Sequence, residues 1–125
     1  MAIGQKFSNN VTGKIVLLVP VGYGEWADTY LLELTPGMTE ELSHLPNNWD
    51  YQMLTIREGN DMEIIRMIAS DKSDGANIDS NCAIVLRAQE GTAQIDTFTT
   101  AADVYAAVTA DWFQSVNDAL FPSGV

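Results

Sequence analysis

Basic residues are scarce in this chain. Six lysines and arginines stand against seventeen acids over 125 residues, giving a formal net charge of −11 and a pI near 4.1. Binding nucleic acid through its phosphates needs a clustered basic patch, so no direct contact with DNA or RNA is expected. Cysteine occurs once, as Cys82, which rules out an internal disulfide and a cysteine-based metal site. At the start of an apolar strand, that thiol reads as buried. Histidine also occurs once, as His44, beside Leu45-Pro46 in what reads as a surface loop. One histidine and one cysteine fall short of the three or four ligands that zinc requires, and no nucleophile–base set stands out. Seventeen acids include chance pairs, but nothing selects a pair for glycoside chemistry. The longest apolar run, Ile15 to Val21, contains Pro20 and is well short of the roughly 18 residues of a membrane span. Gln5, Ser8, Asn9 and Asn10 interrupt the basic-then-apolar order of a signal peptide. The chain is therefore expected to lack catalytic residues, cofactors, metals and membrane contact, and to work in a cytosol or a particle assembled there.

What is present is the composition of a globular domain, 46% apolar and 9% aromatic, with no repeat, low-complexity tract or linker. A single domain over 1–125 is long enough to bury a core. Val11 to Val19 reads as a strand, punctuated at Gly13 and stopped by Pro20. Gly22-Tyr23-Gly24 reads as a turn, and the residues after it do not resemble the helix start of a phosphate loop. Tyr30, Leu32 and Leu34 alternate with Leu31 and Glu33 at strand spacing, and Pro36-Gly37 closes that strand. Thr39 to Leu42 suggests one capped helical turn. Trp49 to Ile56 forms another strand, joined through Glu58-Gly59-Asn60-Asp61 to Met62 to Ala69 as a hairpin. Ser70 to Asn81 is a polar, exposed loop. A calcium loop would place acids at alternate positions before Gly75, but Ser70, Lys72 and Asp74 stand there.

The most informative segment is Ala83-Ile84-Val85-Leu86-Arg87-Ala88-Gln89-Glu90-Gly91-Thr92, an apolar β-branched run ending in a polar turn. Before it come Glu63-Ile64-Ile65-Arg66-Met67-Ile68-Ala69 and, near the start, Phe7-Ser8-Asn9-Asn10. This order resembles a module of tailed-bacteriophage virion proteins, often found at the N-terminus of tail-fibre-like chains. That module has a Phe-x-Asn-Asn opening, a Glu-Ile-Val-Lys/Arg-like strand and a Val-Val-Arg-Ala-Gln-Glu-Gly-Thr-like segment. It ends in a valine-rich strand and a short closing helix. The resemblance runs from Phe7 to Asp118, and its specific part is Arg-Ala-Gln-Glu-Gly-Thr. It implies a structural part of a virus particle, not an enzyme.

Two features depart from the module. Gly22 to Tyr30, with Trp26, replaces its threonine- and serine-rich strand pattern. The chain also stops at Val125 without a fibre or receptor-binding region, so docking is expected rather than host recognition.

The resemblance also bears on the C-terminal quarter. Ala101, Tyr105, Val108, Trp112, Val116 and Ala119 recur at helical intervals. The module instead implies a strand over Val104 to Val108 and a short helix from Ala110. Thr109 suits the N-cap of that helix and Asp111 its first turn. Trp112, Phe113, Val116 and Leu120 would form its apolar stripe, ended by Phe121-Pro122. Strand then helix is the expectation.

Candidate partner contacts fall into two groups. The aromatic anchors are Phe7, Trp26, Trp49, Trp112 and Phe121, although a tryptophan reads as core before it reads as interface. The polar group is Asn9, Asn10, Arg87, Gln89 and Glu90, with Thr92 nearby. Here the structural interpretation comes first: the asparagines bind local backbone, and Arg87 pairs with Glu63, Glu90 or another acid.

The expected fold is mainly β: a compact antiparallel domain, sandwich or barrel-like, of about five to seven short strands with a short C-terminal α-helix. The expected function is a non-enzymatic virion protein of the tail, collar or fibre-attachment apparatus. It would contact other virion proteins and form homo-oligomers. A capsid decoration (cement) protein is the alternative. An acidic mimic of nucleic acid is more remote, because the acids are dispersed and only Glu40-Glu41 are adjacent.

Overall fold

A computed structural model of the protein describes residues 4–8 and 11–106. Seven strands form: β1 (Gln5–Lys6), β2 (Thr12–Pro20), β3 (Tyr30–Leu34), β4 (Tyr51–Glu58), β5 (Asp61–Ser70), β6 (Cys82–Gln89) and β7 (Asp103–Tyr105). Six of them close into an antiparallel barrel in the order β4-β5-β6-β3-β2-β7 and back to β4. The two-residue β1 lies outside, parallel to the start of β4. Along one edge of β4, β1 pairs with Tyr51 and Gln52, and β7 pairs with Thr55 to Arg57. The mainly β, antiparallel expectation holds in its barrel form. The helix expected from Ala110 lies outside the described residues, as do Asn9, Asn10, Trp112 and Phe121.

Period-two alternation builds the core. Leu32 and Leu34 on β3, Leu54 and Ile56 on β4, Ile65 and Met67 on β5, and Val85 on β6 are all fully buried in one cluster. β7 joins them through Val104, flanked by buried Ala102 and Ala106. This 102–104–106 rhythm is that of a strand, and the helical periodicity noted from Ala101 onward does not govern residues 103–105. The β4–β5 hairpin closes through Gly59-Asn60, with Glu58 opposite Asp61 and Gly59 at φ 61°, as its turn residues predict.

Three local expectations change. The helical turn α1 spans Met38–Glu41 and starts after Gly37, which sits at the N-cap with φ 92°. Thr39 is therefore inside the first turn rather than capping it. β4 begins at Tyr51. Trp49 precedes it in a turn where the Asp50 carboxylate accepts the backbone and side-chain N–H groups of Asn47 at 3.0 and 3.1 Å. Finally, β2 is not stopped by Pro20 but includes it, with Pro20 paired to Tyr30, and it bulges: Ile15 pairs with Leu34, but Leu17 already pairs with Glu33. The extra residue, Val16, turns both itself and Leu17 outward, each 42% exposed.

Candidate functional site

Strands β5 and β6 bring Glu63 and Arg87 together inside one end of the barrel. Glu63 continues the inward positions of β5, and Arg87 comes after the inward Val85 of β6, so both point inward. The Glu63 side chain is 0% exposed and that of Arg87 is 5% exposed. Arg87 donates from Nε to Oε2 at 2.7 Å and from Nη2 to Oε1 at 2.8 Å, a bidentate ion pair. The backbone N–H groups of Ala88 and Ile95 each donate to the same carboxylate at 2.8 Å. Arg87 Nη2 also donates to the Ile95 carbonyl at 2.7 Å, and the guanidinium lies 4.8 Å from the centre of the Tyr30 ring. Burial pushes the Glu63 carboxyl up. The Arg87 hydrogen bonds, the Ile95 and Ala88 N–H groups and the Arg87 charge outweigh it, leaving Glu63 below the usual carboxylate range.

The turn after Arg87 is built around this pair. Ile64 pairs with Gln89 while Arg66 pairs with Leu86, so β6 carries an extra residue here. Ala88 takes φ 54°, Glu90 51° and Gly91 79°, all in the left-handed region that non-glycine residues rarely adopt. Gln89 Nε2 donates to the Arg87 carbonyl at 2.9 Å. The Thr92 hydroxyl accepts the Ile64 N–H at 3.1 Å and donates to the Gln89 carbonyl at 2.7 Å. Arg87, Gln89 and Thr92 are thus engaged within the fold. Of the acids considered as partners for Arg87, Glu63 takes the role. Ile95, whose backbone completes the lock, carried no sequence signal.

The aromatic candidates are placed differently. Trp49 is 63% exposed and Phe7 43% exposed, at the ends of β4 and β1. Trp26 is half-buried in the Gly24–Trp26 turn. The structure adds Tyr23, 80% exposed, together with Val16 and Leu17. The unbroken apolar run Ile15 to Val19 was the only trace of the last two in the sequence.

Cys82 and His44 are the single thiol and the single imidazole of the chain. Cys82 is buried at the start of β6, and burial, ahead of the charges of Glu33, Asp79 and Asp71, pushes its thiol up. A thiol held protonated is a poor nucleophile. His44 is exposed, with Nε2 3.3 Å from the Glu40 carbonyl. Among the described residues no group of three histidine, cysteine or acidic side chains is placed to hold a metal ion. No family model and no curated protein matches this chain.

Proposed function

We propose that this protein is a non-enzymatic structural component of a tailed-bacteriophage virion, joining parts of the tail, collar or fibre-attachment apparatus through protein–protein contacts. One observation carries the proposal. Glu63 and Arg87, from two of the segments that carry the resemblance to the phage module, lie 24 residues apart and form one buried ion pair. In this chain, then, two segments of the resemblance are joined by that pair. The acidic surface suits docking onto basic neighbours, and the exposed aromatics supply anchors of the kind interfaces use.

Suppressing synthesis of the protein during infection by the phage that encodes it tests this role. Particles lacking tail or fibre parts, seen by sedimentation and electron microscopy, are the expected outcome. Complete tails on fragile heads would select the capsid-decoration alternative. A full yield of complete, infectious particles would contradict a structural role and favour an acidic inhibitor that acts outside the particle.

A further inference from the structure

The outer wall of the barrel carries an apolar row outside the main core cluster, covered at its Ile84 end, where exposure falls to 3%, and open toward β2. Val19 on β2 pairs with Leu31 on β3, and Leu31 pairs with Ile84 on β6, so the three cross the sheet side by side. The bulge at Val16 extends the row through Leu17. Two loops rise beside it, the Tyr23–Trp26 segment and residues 77–79, enclosing a groove of about 390 Å³. That is room for one or two large side chains.

The first of these walls is shaped by glycine bends and local hydrogen bonds. Gly22 and Gly24 take φ 77° and 72°, a bend that other residues resist. The Trp26 carbonyl accepts the Thr29 N–H at 3.0 Å and the Thr29 hydroxyl at 2.6 Å, and Val21 N–H closes the base onto the Thr29 carbonyl at 3.0 Å. Trp26 lines this groove and also a smaller neighbour of about 200 Å³. A half-buried tryptophan on a hydrogen-bonded turn offers a large contact area at little ordering cost.

Charge selects the occupant. Glu25 and Asp79 line the groove, and Glu33 lies on the same outward row, opposite Leu17. A second copy of the chain would bring another −11 of formal charge to this acidic rim, and like charges oppose such a contact. We propose that this groove docks a segment of a different protein, in which a large apolar residue sits between lysines or arginines. The apolar side chain enters beside Trp26 and the bases meet Glu25 and Asp79. This deepens the docking role proposed above by naming its surface and the chemistry of its partner.

A random-peptide library selected on the whole protein, with counter-selection on Trp26→Ala, tests the proposal. Enriched peptides are expected to place phenylalanine, tryptophan or leucine between basic residues. A synthetic peptide of the enriched sequence should shift amide signals of residues 22–26, Leu31, 77–79 and Ile84. Its affinity should fall about tenfold for Trp26→Ala and about fivefold for the exposed charge reversal Glu25→Lys/Asp79→Lys, but stay unchanged for Met62→Ala, an exposed apolar residue of β5 away from the groove. No enrichment, enrichment of uncharged or acidic peptides, shifts elsewhere, or equal binding by the charge-reversed protein would overturn it. Because the library contains no virion sequence by design, the two proposals fail separately. Absence from particles removes the virion role and leaves the groove, whereas failed enrichment removes the groove alone.

Discussion

Glu63 receives four hydrogen-bond donors while closed off from water. A buried carboxylate is stable only when its charge is met in this way. Glu63→Gln leaves Arg87 buried without its counter-charge and is expected to cost roughly 3–5 kcal/mol in chemical denaturation. Arg87→Met should cost a similar amount near neutral pH, for the reverse reason. The lowered pKa of Glu63 sets the pH dependence. The contribution is fully present above the ordinary glutamate value and is lost as pH falls through the folded-state value. The stability gap between wild type and Arg87→Met should therefore narrow on acidification below that range, measured as unfolding midpoints across pH. A constant gap would show that the pair contributes by packing alone. Part of this was legible in the sequence, since an arginine beside an acidic strand residue in an apolar setting calls for a charge partner. The role of Ile95 was not legible, because it is played by a backbone N–H and carbonyl. Nor was the left-handed turn of Ala88, a residue that gives no sign of such a conformation.

At the scale of elements, strands and turns were readable wherever alternation and turn residues coincide, as in β3 and the β4–β5 hairpin. The sequence was silent where an extra residue resets the pleat. The run Ile15 to Val19 shows no polar face, and only the bulge determines that Leu18 points in while Leu17 points out. The outer strand β1 was also invisible, being two residues held by register. Gly4 explains how it docks: its φ is 88°, and a β-carbon there would press on the Trp49 carbonyl, while its own carbonyl accepts the Tyr51 N–H at 2.9 Å. Gly4→Ala is expected to release β1, seen as faster hydrogen exchange at the Tyr51 amide with Leu54 still protected. Unchanged exchange at Tyr51 would mean that the strand tolerates the side chain. The exposed aromatic candidates divide along the same line: their residue types were visible, but burial depends on which element each one flanks.

For the whole molecule, closure is the decisive property. A sheet with free edges invites pairing with other chains, and here β7 removes the gap between β2 and β4. Val104 is the buried residue of that strand, and Val104→Ala should cost roughly 2 kcal/mol of global stability, seen as an earlier cooperative unfolding midpoint. Among the described residues the closed barrel presents exposed aromatics on its outside, and the chain carries an acidic net charge; the proposed virion role draws on both. Quantitative mass spectrometry of purified particles from the encoding phage tests that role most directly. The account predicts the protein in every particle preparation at a fixed ratio to the major capsid protein, a few to a few dozen copies for a tail or fibre-attachment part. Its absence from particles, with the protein abundant in the lysate, would contradict the account.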